Sequence, residues 1–339
     1  MKKVALALGL SILLSMLCGL EIPFFIDWAA NNKINHYPRR ETKKTDWSEK
    51  YRIAFGIDSL SVHNTQLDLR LKTQDMFTEK EVILDRLRVT FRTQNSDIEL
   101  SSQKIGYGFG YLPNKLDITS ADYEAYLYQE LVFNGMMLWH HSGILTFGLG
   151  LGGNVANQSV VRGAVALDSQ IRELHYGFAF RPIGITQDSH WNQPVVAGGL
   201  ESYLSWKALD YRSDMVMGYI TEYSQPIDRY EYFTAHQLDF RATPRSKIAL
   251  FGSYSQQAYY PTNKTALLAS YQYRSRNWTL MPILEYHDVE GDELLKSKLR
   301  LEYEFVKGIV LGTDFSREWT SGDMVTDSFG INTKAYYEF

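Results

Sequence analysis

The feature that most constrains this chain is an alternation of apolar and charged side chains with a period of two residues. The segment 296–305 (KSKLRLEYEF) shows it most clearly. Its two faces consist of Leu299, Leu301, Tyr303 and Phe305 on one side and of Lys298, Arg300, Glu302 and Glu304 on the other. Successive side chains of a β-strand point to opposite faces, whereas a helix repeats every 3.6 residues. The segment is therefore predicted to be a strand with one apolar and one polar face.

The same alternation recurs from residue 51 to the end of the chain, for example in 67–72 (LDLRLK) and 87–92 (LRVTFR). The polar faces of these other segments carry Asp68, Arg70, Lys72, Arg88, Arg92, Asp239 and Arg241. A soluble β-sandwich also alternates, but these polar faces carry many charges and the strand ends many aromatic residues. The pattern favours a membrane-spanning β-barrel, in which the apolar face meets lipid and the polar face meets a wet lumen.

Turn signals between the alternating segments allow the strands to be counted. Sixteen strands fit between residues 66 and 339, and a further candidate lies at 51–62. Bacterial barrels have an even number of strands, short periplasmic turns and longer external connections. We therefore predict an all-β, antiparallel up-and-down barrel of about 16 strands. The alternative is 18 strands, with a partner for 51–62 that the alternation does not reveal.

The N-terminal 50 residues differ from the rest of the chain. Residues 1–19 combine a charged start with the apolar run VALALGLSILLSML, which predicts a signal peptide. Residues 20–50 are rich in polar and charged side chains and are predicted to form a flexible periplasmic leader before a barrel domain at 51–339. Cys18, the only cysteine, lies within the signal, so no disulfide is expected. The net charge of −4 and the lack of a nucleic-acid-binding motif argue against a nucleic-acid partner.

The last strand carries a specific resemblance to a known class of protein. Its alternate positions are Ile331, Thr333, Ala335, Tyr337 and the terminal Phe339. In this ending, segment 51–339 resembles Gram-negative outer-membrane β-barrels of the porin type, whose terminal strand is the insertion signal recognised by the barrel-assembly machinery. The resemblance implies a location in the outer membrane, in contact with outer-membrane lipid. It also allows a homo-oligomer, because trimers are common in that class.

Two glycine ladders suggest where the lumen narrows. On the polar faces of their segments lie Gly106, Gly108 and Gly110, and Gly148, Gly150 and Gly152. Glycines often mark the close approach of another backbone, and the long connection 112–130 lies between the ladders. If this connection folds inward as a constriction loop, Asp117, Asp122 and Glu124 would face wall cations and influence selectivity. The alternative is an external loop, with glycines that let the wall curve.

The run LWHHSG raises the question of catalysis. It brings together His140, His141 and Ser142, but a nucleophilic serine needs a base within hydrogen-bond reach, and neighbours in a strand point to opposite faces. We therefore predict no enzymatic reaction, no cofactor and no metal. The predicted function is passive or weakly selective diffusion of small hydrophilic solutes. The alternatives are a structural or secretion/assembly-accessory barrel without an open pore and, less favoured, an outer-membrane hydrolase.

Overall fold

A computed structural model describes residues 23–38, 45–73, 82–105, 131–153, 159–186, 194–221, 228–256, 263–321 and 325–338. In this part of the chain 18 strands form one antiparallel sheet. The strands are β1 (Phe24–His36), β2 (Thr45–Val62), β3 (Thr65–Thr73), β4 (Val82–Arg92), β5 (Ser96–Ile105), β6 (Leu131–Ser142), β7 (Leu145–Gly153), β8 (Ser159–Ile171), β9 (Leu174–Thr186), β10 (Pro194–Trp206), β11 (Leu209–Thr221), β12 (Asp228–Thr243), β13 (Ser246–Gln256), β14 (Asn263–Ser275), β15 (Trp278–Val289), β16 (Asp292–Val306), β17 (Ile309–Thr320) and β18 (Val325–Glu338).

Each strand pairs with its sequence neighbours, and β1 also pairs with β18, which closes the barrel. The closing register runs from Phe25 opposite Glu338 to His36 opposite Asp327. Two or three residues connect the strands at one end of the barrel, here called the short-turn end. Most connections at the other end, the long-connection end, contain four or more residues. The predicted all-β, up-and-down barrel is therefore confirmed.

No helix among the described residues is both long enough and apolar enough to span a membrane.

The strand count is 18, the number given above as the alternative. The partner missing for 51–62 is β1, which pairs along its whole length with β2. A flexible leader over 20–50 is wrong for 24–36 and 45–50, because these residues form strands within the barrel wall. The predicted signal peptide at 1–19 lies outside the described residues.

One connection at the long-connection end is shorter than the others at that end. Within the acidic segment 288–293 (DVEGDE), only Glu290 and Gly291 separate β15 from β16. Both residues have positive φ angles, 56° and 90°, as a two-residue hairpin turn of type I′ requires. The Gly291 N–H also donates a hydrogen bond of 2.9 Å to the Asp288 carboxylate.

The alternation separates two chemically different faces of the wall. Large apolar side chains stand exposed on the outward face, including Leu149, Met217 and Phe315, which are 60%, 57% and 52% exposed. Exposed tryptophans lie near the ends of the strands, as Trp206 and Trp278 do at the short-turn end. This distribution matches the apolar band and aromatic girdles of a barrel whose outer face meets lipid.

Candidate functional site: the charged inner wall

The inner face of β16 and β17 is built around Asp314. This carboxylate accepts a 2.9 Å hydrogen bond from Arg300 Nε, and its Oδ2 lies 3.1 Å from Lys298 Nζ. A third donor is the Asn332 side-chain amide, at 2.7 Å. The side chains of Asp314, Arg300 and Lys298 are 14%, 10% and 16% exposed. One acid therefore contacts two largely buried cations.

A second centre of charge lies where β2, β3 and β4 meet. The fully buried Asp68 accepts a 2.7 Å hydrogen bond from Arg88 Nε and a 2.9 Å bond from the Ser59 backbone N–H. Ser59 has a φ angle of 56° within an irregularity of the β2–β3 register, between Ile57 and Leu60. A bulge re-aims the backbone of a strand, and here it brings a backbone donor to Asp68.

The neighbouring charges form a continuous network towards β1. Arg70 lies 3.3 Å from Asp27 on β1 and 3.3 Å from Asp85 on β4, and Lys72 lies 2.5 Å from Asp85. The β3–β4 register shifts between Arg70 and Leu71. As a result of this shift both Asp85 and Arg86 interact with charges of the inner wall. The bulge therefore adds an acid that strict alternation would place on the outward face.

The predicted pore-lining residues all lie at alternating positions opposite the exposed apolar side chains. Asp68, Arg70, Lys72, Arg88, Lys298, Arg300 and Glu302 belong to or border the two centres just described. Four others lie nearer the short-turn end: Arg92 bonds to Gln66, Asp239 to Lys247 at 2.8 Å, Arg241 to Asp210 at 3.6 Å and Glu304 to Arg274 at 3.2 Å. Their role in a pore stays a prediction.

Several inner-face acids were not among the predicted residues. Asp314 lies in the alternating segment LGTDFSRE, so period-two reading could have found it. Period-two reading could also have found Glu285, which is only 2% exposed. Its Oε2 lies 3.6 Å from His287 Nε2. Period-two reading does not find Asp27, because the alternation in its strand is weak, and it does not find Asp85, because the inward position of Asp85 depends on the bulge.

The glycine ladder of β7 faces inward, as predicted, but side chains of β6 occupy the space beside these glycines. A Cβ built on Gly150 would overlap Met137 Sδ, and one on Gly148 would lie 2.7 Å from the Trp139 ring. At Gly152 it would meet Phe133 Cε2 at 2.8 Å. These glycines therefore make room for side chains from β6. The expectation that they serve mainly as a wall for a folded loop needs this correction.

Side chains from β6, β8 and β9 form an apolar cluster on the inner wall. Its members are Phe133, Met137, Val160 and Ile183, all at most 4% exposed, with Trp139 packed against them. The guanidinium of Arg162 lies over the Phe133 ring, 4.9 Å from its centroid. Such a cation–π contact lets a charged side chain cover an aromatic one. The inner wall thus has an apolar stretch beside its charged one.

Some of the predicted residues lie outside the described part of the chain, and others lie in its last strand. The constriction-loop residues Asp117, Asp122 and Glu124 and the first glycine ladder lie outside the described residues, as does Phe339. The remaining insertion-signal residues belong to β18, where Ile331 is 41% exposed on the outward face. Thr333, Ala335 and Tyr337 pair with Ala30, Trp28 and Ile26 of β1.

The histidine run of β6 is split between the two faces. His140 contacts the Ser96 hydroxyl at 3.1 Å, whereas His141 contacts Thr146 at 3.2 Å and Asp97 at 3.4 Å. The two adjacent histidines therefore have different sets of partners. In the part of the chain that the structure describes, no group of three or more His, Cys, Asp or Glu side chains could hold a metal ion.

Comparisons with known proteins show the fold. No protein-family model and no curated protein matches the chain. Among solved structures from Pseudomonas aeruginosa, OpdL is similar with a TM-score of 0.56 and 11% identity, covering 94% of this chain and 99% of its own. OccK11 (OpdR) has a TM-score of 0.52 and 11% identity, with coverage of 95% and 99%. The outer membrane protein OpdK has a TM-score of 0.50 and 7% identity, with coverage of 93% and 99%. The chain therefore has the barrel fold of these proteins.

Proposed function

We propose that this protein is an outer-membrane channel for passive or weakly selective diffusion of small hydrophilic solutes. The observation that carries the proposal is the charged inner face of a closed 18-stranded barrel. Barrels of 16 to 18 strands are wide enough to leave an aqueous passage. The opposite face is largely apolar, so lipid surrounds the wall and most of the charges of the wall strands face the lumen. The proposal assigns no reaction to the chain.

The barrel fold shared with OpdL, OccK11 and OpdK supports this proposal. Under the usual orientation of bacterial barrels, the short-turn end faces the periplasm and the long-connection end faces outside. Both described termini, at Pro23 and Glu338, then lie on the periplasmic side. This is the arrangement expected if the barrel-assembly machinery inserts the chain by its last strand.

The purified chain in a planar lipid bilayer tests the channel directly. We expect discrete conductance steps whose size grows with salt concentration, because ions carry the current through a wet lumen. A silent bilayer, with correct folding shown by heat-modifiable gel mobility, would contradict the proposal.

One observation favours the second candidate, an accessory barrel with a closed lumen. Inner-wall charges are paired across neighbouring strands, as in Lys298 with Asp314 and Arg88 with Asp68. Pairs of this kind are expected where side chains fill a lumen, because buried charges there must neutralise one another. A silent, folded barrel is the result that this candidate predicts.

We also propose that the connection 112–130 narrows the channel, with Asp117, Asp122 and Glu124 facing the lumen. The strand that follows it, β6, begins at Leu131, two residues before Phe133 of the inner apolar cluster. A segment anchored there has an apolar surface on which to settle, while its acids remain hydrated.

Charge reversal tests this constriction. Asp122→Lys and Glu124→Lys are expected to shift the reversal potential in a salt gradient towards anion preference, because the field in a narrow passage acts on every permeating ion. Glu293→Lys is the matched control, since Glu293 lies on the outward face, where its carboxylate accepts a 3.1 Å bond from the Tyr286 hydroxyl. Equal reversal potentials in all three variants would show that 112–130 lies away from the passage.

A further inference from the structure

A groove crosses the outward face of the barrel between β13 and β18. Its volume is about 900 Å³, and its lining is mostly apolar. The side chains of Ala269, Pro282 and Ser297 are short and form the floor of the groove. Leu284 and Phe315 stand beside them and are 50% and 52% exposed. A depression on a wall that faces lipid must hold something apolar, since the bilayer core offers no water to fill it.

One end of the groove carries an ion pair. Arg317 Nε donates a 2.7 Å bond to Asp327 Oδ1, and Nη2 donates a 3.0 Å bond to Oδ2. Arg317 lies three residues before the end of β17 and is therefore near the long-connection end. Its side chain is 54% exposed and shares the outward face with Phe315 and Trp319. These two bonds use two of the five N–H groups of a guanidinium.

The length of the groove fits one leaflet of a membrane. The paired row Asp327, Arg317, Ser297, Leu284 and Ala269 crosses five adjacent strands. Four strand spacings give about 19 Å. A strand tilt of about 45° turns this into a descent of roughly 14 Å along the membrane normal. Half of a hydrocarbon core of about 30 Å is about 15 Å. The groove thus runs from the rim of the barrel to about the bilayer midplane.

We propose that this groove binds one phosphate-bearing membrane lipid, with an acyl chain along Ser297 and Ala269 and the phosphate at Arg317. Guanidinium groups bind phosphate through parallel charge-assisted hydrogen bonds. Asp327 holds the guanidinium in place and leaves its other N–H groups for the headgroup. The site is separate from the lumen, so it goes beyond the proposed channel function.

Native mass spectrometry of the folded full-length chain, released from detergent with dipalmitoyl phosphatidylglycerol, tests the site. The wild-type barrel is expected to retain one phospholipid. Ser297→Phe fills the groove and should weaken retention at least about tenfold, and Arg317→Gln should do the same. Thr313→Phe is the matched control, because Thr313 lies on the outward face of β17, the strand of Arg317, but outside the groove. This variant should retain the lipid.

Two further probes identify what is recognised. Dipalmitoyl glycerol, which lacks the phosphate, is expected to bind equally weakly to the wild type and to Arg317→Gln, and excess inorganic phosphate should not displace the phospholipid. Equal phospholipid retention by the wild type and Ser297→Phe would overturn the proposal. So would a dimer of barrels that Ser297→Phe disrupts, because the groove would then hold a second copy of the chain. Conductance should be unchanged in Ser297→Phe, which separates this result from the channel test.

Discussion

Replacing Asp314 with alanine is expected to lower the free energy of unfolding by about 3 kcal/mol, because it removes the carboxylate that is hydrogen-bonded to Arg300 and paired with Lys298, both largely buried. Lys298 and Arg300 both contact this carboxylate and are at most 16% exposed. Removing one partner of a buried ion pair costs more than the intact pair contributes, because the remaining charge loses a close counter-charge and does not regain water. Urea unfolding in lipid vesicles, followed by tryptophan fluorescence, measures the change.

The control is Glu173→Ala. Glu173 pairs with Lys207 at 3.6 Å, but the two side chains are 68% and 61% exposed, so water replaces the interaction and no measurable change is expected. In the channel, Asp314→Ala should also move the reversal potential towards anion preference, since it makes the inner wall more positive. Equal stability of Asp314→Ala and Glu173→Ala would show that the Asp314 network does not hold these strands together.

Gly152→Ala is expected to destabilise the barrel by about 1–3 kcal/mol, because the added methyl group meets backbone atoms that no rotamer change can move. Its Cβ would lie 2.5 Å from the Asn134 carbonyl oxygen and 2.8 Å from Gly135 Cα. Relief would require β6 and β7 to separate, which strains the ladder between them. The midpoint of urea unfolding and the fraction of heat-modifiable folded protein both report this loss.

Two other glycines provide a graded comparison. At Gly150 the closest atom to an added Cβ is Met137 Sδ, the flexible part of a side chain, so Gly150→Ala should cost less than Gly152→Ala. At Gly184 no atom lies within 4 Å of an added Cβ, and Gly184→Ala should leave the midpoint unchanged. A reversed order among the three variants would contradict the packing seen between β6 and β7.

Most of the wall strands could be predicted from local sequence. In each of them, apolar side chains that face lipid alternate with polar side chains that face the lumen. In KSKLRLEYEF the charged and apolar sets differ so strongly that both the strand and its faces are evident. Strand β1 (FFIDWAANNKINH) alternates less clearly between apolar and polar residues, because Ala29 lies beside Ala30 and Asn31 beside Asn32. Adjacent positions of the same class hide the alternation. Only its pairing with β18 and β2 identifies it as a wall strand.

The inner-wall charges were predictable as a set, but their partnerships were not. Period two places Arg300 and Asp314 on polar faces, yet their contact depends on the β16–β17 register, which sets these positions opposite each other. Asp85 needed a bulge in the register to reach Arg70 and Lys72. The spacing of residues along one strand does not contain this information.

The sequence by itself determined that the chain forms strands with one lipid-compatible and one charged face, since side-chain alternation is a local property of an extended backbone. Only the tertiary structure decided the number of strands, the closing pair β1–β18 and the ion-pair partners. It also decided that Phe133, Met137 and Trp139 occupy the space beside the glycines of β7. These features depend on contacts between residues distant in sequence, and such contacts are set by strand register and barrel closure.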